Sequence, residues 1–207
     1  MIILVSGATA TLRQLPSDAP IGHLYTPRAG NDPAVIFGSG RVVAADNDCF
    51  NGLDRVRYLR MLRRLQPYAD RIAWLAAPDV VGDAAATLAR WRLWTPTLRY
   101  YGYRLAYVAQ DGSEVLPPPW GELDCLFVGG TTAWKENRHA AALAHEAKQR
   151  GKWLHVGRVN TVRRLRLIDN WQPDSIDGTQ FSRFAATYLP RWCQIVGYRQ
   201  HHLWSNQ

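Results

Sequence analysis

Cysteine is scarce: Cys49, Cys125 and Cys193 are the three thiols in 207 residues, and they stand far apart. No CxxC pair or Cys/His spacing occurs, so neither a disulfide framework nor a structural zinc site is indicated. Cys125, inside LDCLFV, reads as core. No apolar run approaches the ~20 residues needed to span a bilayer, and the opening MIILVSGATA carries no basic n-region. The expectation is a cytoplasmic protein with no membrane contact. No GxGxxG or Walker loop follows the first apolar run, which sets aside the common nucleotide-binding open sheets. Internal repeats and low-complexity tracts are lacking too.

What the chain has is enough apolar material for one core and an excess of positive charge. Apolar residues make up 47% and charged residues 20%, the balance of a folded globular chain, read as one domain over 1–207. Lys+Arg number 25 against 17 Asp+Glu, a net charge of +8, and the basic residues are mostly arginine. Such an excess attracts phosphate backbones, although small proteins are also basic for no specific reason.

A pattern recurs along the chain: a short apolar, β-prone run ends in a polar residue or glycine, and an amphipathic stretch follows. The runs are IILVSG (2–7), RVVAAD (41–46), RIAWLAAPD (71–79), RLAYVAQ (104–110), LDCLFVGG (123–130), KWLHVG (152–157) and DSID (174–177), with one more weak strand in GHLYTP or AVIFG. Helices are expected over 53–65, with Val56, Leu59, Leu62 and Leu65 on the apolar side and arginines opposite, and over 83–94, 136–150 and 161–169. Asp83 is placed to cap the second of these, and Gly151 to end the third. Residues 13–40 read as a long loop, Val115–Gly121 with its three prolines as a rigid spacer, and the tail after Pro190, with Trp192, His201, His202 and Trp204, as neither strand nor clear helix.

Alternation of this kind implies a parallel sheet buried on both faces, closed into a barrel or open and doubly wound. Seven or eight units favour a compact (β/α)8 TIM-like barrel. At this length its helices must be short or one unit shortened or missing. The mouth at the strand C-termini gathers side chains from every unit. There stand Asp46, Asp79, Gln110, Gly129 and Gly130, Gly157 and Asp177. A single Asp at such a place is as well explained by capping the next helix. Three carboxylates and a glutamine at equivalent positions converge on one pocket, where mutual repulsion raises at least one pKa and divides nucleophile from acid/base. Glycines at the other strand ends let a planar ring approach the backbone. Lys135, Arg158, Arg163 and Arg183, just past strand ends, are candidate phosphate contacts or ordinary helix charges. Arg60, Arg63 and Arg64 read as a solvated face, His155 as a buried, satisfied histidine, and Trp74, Trp91, Trp94 and Trp153 as packing.

These residues carry a resemblance. The chain resembles the tRNA-guanine transglycosylase superfamily, and more closely its DNA-acting 7-deazapurine branch of phages and bacterial modification clusters. The family's Asp-Ser-Gly-Gly-Phe-Gln stretch is similar to Asp46-Asn47-Asp48-Cys49-Phe50-Asn51, its base-recognising Asp to Asp79, and its Val-Gln-Gly-Gly to Ala109-Gln110-Asp111-Gly112. Its Gly-Gly loop is similar to Gly129-Gly130, its Met-Gly-Val-Gly to His155-Val156-Gly157-Arg158, and its nucleophile segment to Asp174-Ser175-Ile176-Asp177-Gly178. The resemblance implies that Asp177 attacks C1′ and that Asp46 is the general acid/base. It implies that Asn47, Asp79, Gln110, Gly129, Gly130 and Gly157 surround the base and that Phe50 or Val156 stacks on it.

The resemblance also has gaps. The zinc-binding Cys-x-Cys-x-x-Cys and His of tRNA-acting relatives have no counterpart, since only Cys193 follows Asp177. No metal or other cofactor is therefore implied, and the short chain leaves no room for tRNA-binding elaborations. The partners expected are DNA rather than tRNA, with the target base flipped out, and a free 7-deazaguanine base. Two alternatives keep the same residues: an N-glycosidase in which water resolves the intermediate, and a basic nucleic-acid-binding barrel without chemistry.

Overall fold

In the computed structural model the backbone is described for residues 1–204, and side chains for residues 1–197 other than Asn51. Eight strands run β1 (Ile2–Val5), β2 (Ile21–Tyr25), β3 (Val43–Ala45), β4 (Ile72–Ala76), β5 (Leu105–Ala109), β6 (Cys125–Val128), β7 (Trp153–Val156) and β8 (Ser175–Asp177). Every pairing is parallel, and β8 returns to β1 with Leu4 opposite Asp177, closing the barrel in chain order. Because successive residues of a strand face opposite ways, the barrel has two cores. Leu4, Leu24, Trp74, Val108, Cys125 and Phe127 fill the interior, with Ala44, Ala76 and Ala106 beside the large rings. Ile3, Val5, Leu75, Tyr107, Leu126 and Val156 point outward into the helical layer. Sheet burial on both faces is the reason the strands read as near-continuous apolar runs.

The helical layer consists of α1 (Thr9–Gln14), α2 (Pro33–Phe37), α3 (Arg55–Leu65), α4 (Ala84–Tyr100), α5 (Thr132–Lys135), α6 (Arg138–Gln149), α7 (Val162–Leu167), α8 (Thr179–Arg183) and α9 (Ala185–Trp204). Asp83 caps α4 by accepting from the Ala86 N–H, as expected, and Gly151 takes a left-handed φ of 65° just past α6. No helix lies between β5 and β6 among the described residues. The proline-containing segment fills that place, pinned by Trp91 Nε1 donating to Glu122 at 2.9 Å and Trp134 Nε1 to Glu114 at 2.8 Å. The expected shortened unit is this one.

Four expectations are corrected. Residues 13–40 are no loop, since they contain β2 and α2, and AVIFG lies in α2. The weak strand expected in GHLYTP is β2, its apolar signal diluted by Gly22 and His23. Gly22 is needed there because a Cβ would sit 2.6 Å from the Val42 carbonyl. Val56 is 67% exposed, and α3 buries Tyr58, Met61, Leu62 and Leu65, a 3.6-residue repeat from which strict threes drift away. Helix α4 continues through Pro96 to Tyr100 because Trp94 and Leu98 are anchored in the core. The tail is helical through Trp204. Ala185, Leu189, Trp192 and Val196 recur at helical spacing, and Trp192 meets Phe181 edge-on at 4.8 Å. The side chains of His201, His202 and Trp204 lie outside the described residues. No helix among the described residues is long and apolar enough to cross a membrane.

Candidate active site

At the C-terminal mouth, Asp46, Asp79, Gln110, Gly129, Gly130, Gly157 and Asp177 gather as their strand-end positions require. The carboxylates do not cap helices. Helix α4 is capped by Asp83 and not Asp79, and Gly178, with no side-chain cap bond, precedes α8. Asp46 Oδ1 instead accepts from the Asn47 N–H at 2.8 Å, and Asp177 Oδ1 from the Arg158 N–H at 3.0 Å.

Two connected spaces meet there. An inner pocket of about 100 Å³ is floored by Val108 and Phe127 and walled by Asp79, Gly130, Lys135 and Gly157. An outer groove of about 610 Å³ runs past Ser6, Thr26, Thr179 and Arg183. Asp46, Phe50, Arg158 and Asp177 line both.

One side of the inner pocket is a closed polar network. Asn47 Nδ2 donates to the Ala77 carbonyl and to Asp79 Oδ1, both at 2.7 Å, and Gln110 Nε2 donates to Asp79 Oδ2 at 2.5 Å. Gln110 Oε1 accepts the N–H groups of Gly82 and Gly130, both at 2.9 Å. Asn47 and Gln110 therefore position the wall, and Asp79 keeps its remaining lone pairs for a ligand. Gly129 and Gly157 are required by packing as well as by access: a Cβ would lie 2.7 Å from Val108 and 2.6 Å from Phe127, respectively.

Behind Asp177 runs a second chain of hydrogen bonds that residue types alone did not reveal. Trp153 Nε1 donates to Ser175 Oγ at 2.8 Å, Ser175 Oγ meets His155 Nδ1 at 2.9 Å, and His155 Nε2 meets Asp177 Oδ2 at 3.0 Å. The indole donates to Ser175 Oγ and the Asp177 carboxylate can only accept, so a ring proton sits on Nε2, facing that carboxylate. His155 is thus a fully buried partner of the site. The signal for it was strand register, because β7 pairs His155 with Ser175, two residues before Asp177 on the same face.

The two carboxylates are driven apart in acidity. Asp46 is raised to about 7, by burial first and then by the charge of Asp177. Burial alone would raise Asp177 as well. The hydrogen bond and charge of His155, the Arg158 N–H and the Lys135 charge outweigh that, leaving it below the ordinary carboxylate value. Near neutral pH Asp177 is an anion and Asp46 shares a proton with solvent.

Three expected binding residues are placed differently. Val156 faces the outer core, so stacking falls to Phe50, 62% exposed at the mouth with the Arg158 guanidinium 4.6 Å from its ring centre. Lys135 is 2% exposed inside the pocket and cannot lie along a phosphate backbone. Arg163 is 76% exposed, but its charge is met by Glu136 at 2.5 Å. Arg183 lines the outer groove, and Arg158, at a left-handed φ of 58°, spans both spaces. That conformation is uncommon for a long side chain. It is held by the Arg158 guanidinium on the Gly130 carbonyl at 3.0 Å and by Arg164 on the Arg158 carbonyl at 2.8 Å.

No protein-family profile and no curated protein matches the chain. Solved structures do. One described as native KDPGal aligns over 96% of this chain and 94% of its own at 12% identity, with a TM-score of 0.60. A cube-shaped protein cage designed by fusing symmetric oligomeric domains aligns over 99% and 77% at 11% identity, with a TM-score of 0.56. A lead(II) complex of Haloferax volcanii malate synthase aligns over 86% and 68% at 11% identity, with a TM-score of 0.51. The chain is a (β/α)8 barrel, a fold that enzymes such as malate synthase use. At this identity the likeness concerns architecture, and the reaction has to be argued from the site.

Proposed function

We propose that this barrel is a base-exchange transglycosylase that replaces guanine in DNA with a 7-deazaguanine derivative. The observation that carries the reading is the position of Asp46 and Asp177, with opposed acidities, where the inner pocket meets the wider groove. A nucleotide with its base in the inner pocket and its sugar-phosphate in the groove puts the glycosidic bond between them. The Asp177 carboxylate attacks C1′, the bond to the base nitrogen breaks, and Asp46 gives that nitrogen its proton. The incoming base then returns a proton to Asp46 as its nitrogen displaces Asp177 from C1′. Two inversions retain the configuration.

Several further features fit. Asp79 accepts from the N–H edge of a guanine-like base, Phe50 stacks on it, and the net charge of +8 with Arg158 and Arg183 in the groove suits a phosphate backbone. Reaching the base in a duplex requires flipping it out. A barrel that merely binds nucleic acid has no use for two carboxylates held in opposite protonation states.

The test is nucleoside mass spectrometry after incubation of guanine-containing DNA with a free 7-deazaguanine base. Incorporation with release of guanine is the expected result. Abasic sites without incorporation would make the chain an N-glycosidase, and unchanged DNA would remove both enzyme readings.

His155→Phe tests the positioning chain. Phenylalanine keeps the ring contacts to Trp74 and Phe127, at 4.6 and 4.4 Å, and removes the bond to Asp177. Losing a hydrogen bond to a charged group costs about 1.5–3 kcal/mol, so kcat should fall roughly 10–100-fold. The acid limb of kcat/KM should move to higher pH, because burial of Asp177 is then less opposed. A purely structural role for His155 would leave that limb where it was.

A further inference from the structure

Away from the mouth, the helical layer over β2 holds a cleft that the proposed reaction does not use. It has a volume of about 320 Å³, and in it Arg13, Ser17, His23 and Arg41 meet the apolar side chains of Leu12 on α1 and Val35 on α2. None of its lining residues lines the inner pocket or the outer groove. Alternation along β2 places the histidine there: His23 shares a face with Ile21 and Tyr25, which pack in the outer core, so the imidazole is turned away from the barrel interior. His23 is 4% exposed, and its Nε2 has no hydrogen-bond partner among the described residues. A buried polar nitrogen left in that state is costly.

The charges at the cleft are unmatched too. Its lining contains no carboxylate, and neither Arg13 nor Arg41 forms an ion pair among the described residues. Arg41 is held by donating to the carbonyls just past α1, to Leu15 at 2.9 Å and to Pro16 at 2.8 Å, which engages its hydrogens without neutralising its charge. Arg13, in the last turn of α1, is exposed. Burial, then the charges of Arg41 and Arg13, lower His23 to about 4, so the ring is neutral near neutral pH and adds no further charge. A water molecule would satisfy Nε2 and leave both cations unmatched. A phosphoryl group does both, since it carries about two negative charges near neutral pH and its oxygens accept from guanidinium, imidazole N–H and hydroxyl alike.

We propose that this cleft is a second binding site, outside the mouth, that takes a small phosphate monoester. The phosphoryl group lies between Arg13, Ser17 and His23 Nε2 within the field of Arg41, and the organic part lies against Leu12 and Val35. The site goes beyond the base-exchange reading and does not depend on it.

The test is calorimetric titration of the intact protein with phenyl phosphate and with inorganic phosphate, alongside the ring resonances of His23 by NMR. Phenyl phosphate should bind once per chain with a Kd below about 1 mM and should shift the His23 ring signals. It should bind at least about 5-fold more tightly than inorganic phosphate, because its ring buries apolar surface. Arg13→Ala and His23→Phe should each weaken it at least about 10-fold. Arg13 is exposed, so its variant decides the matter if His23→Phe does not fold. Binding unchanged in Arg13→Ala would overturn the proposal, as would no binding up to about 10 mM. Binding weakened by Arg183→Ala and not by Arg13→Ala would place the anion in the outer groove and overturn it equally. Inorganic phosphate held as tightly as phenyl phosphate would overturn the assignment to an ester.

Discussion

Asp177→Asn is expected to reduce base exchange by at least about 10⁴-fold, to the level left when a covalent catalyst loses its nucleophile. The amide keeps the size of the carboxylate but cannot attack C1′. It also cannot accept from both His155 Nε2 and the Arg158 N–H, which now hold the two carboxylate oxygens. The variant should fold, since the amide fits where the carboxylate stood and the apolar cores are untouched. Intact-mass analysis of the unmodified protein with a guanine-containing oligonucleotide should show a covalent adduct that maps to Asp177 and is missing in the variant. If a folded Asp177→Asn protein keeps a tenth of the exchange rate, the nucleophile is elsewhere and the proposed reaction is wrong.

Asp46→Asn should have the second largest effect, a loss of about 10²–10⁴-fold in exchange, the usual worth of a general acid/base. The pH profile of the unmodified enzyme carries the same assignment. In the proposed reaction release of guanine needs Asp46 protonated, so kcat/KM should decline as pH rises through about 7, and it should decline again at acid pH as Asp177 gains its proton. Stability should move the opposite way to activity. In the folded protein Asp46 holds a proton that the unfolded chain releases at the ordinary carboxylate value. The native state is therefore penalised progressively from that value up to about 7, and fully above it. The amide removes the penalty. Asp46→Asn should be more stable than the parent at pH 8 by about 1–2 kcal/mol, allowing for the partial exposure of the carboxyl, and should lose that advantage near pH 4. Thermal unfolding at the two pH values measures it, and a variant less stable than the parent at pH 8 would contradict the assignment of the raised acidity to Asp46.

The barrel was legible wherever a strand is apolar on both faces. LDCLFV and RLAYVA announce β6 and β5 because every residue of Cys125–Val128 and Leu105–Ala109 is buried. Strand β2 was legible only as a weak strand in GHLYTP, one of two alternatives, because it carries a glycine that packs against Val42 and a histidine that interrupts the apolar run. Helix α9 escaped because Pro190 reads as a stop, whereas the buried series from Ala185 to Val196 carries the helix past it.

In the site, strand ends were the readable part, and Asp46, Asp79, Gln110 and Asp177 stand on one rim. What depends on pairing between strands was not readable. His155 looks like an ordinary buried histidine until the register sets it beside Ser175. Val156 looks available until strand parity turns it outward, and the short α5 turn brings Lys135 back over the pocket where a position just past a strand suggested solvent.

The Asn47–Asp79–Gln110 linkage ties together the connections that follow β3, β4, β5 and β6. Across the opening, the first and last connections meet through the hydroxyls of Ser6 and Ser182 at 2.8 Å. The mouth thus has a fixed jaw and a lightly tethered one. If the proposed reaction holds, a flat heterocycle would be gripped by the fixed jaw, while the polymer on the other could vary in shape and sequence without disturbing that grip.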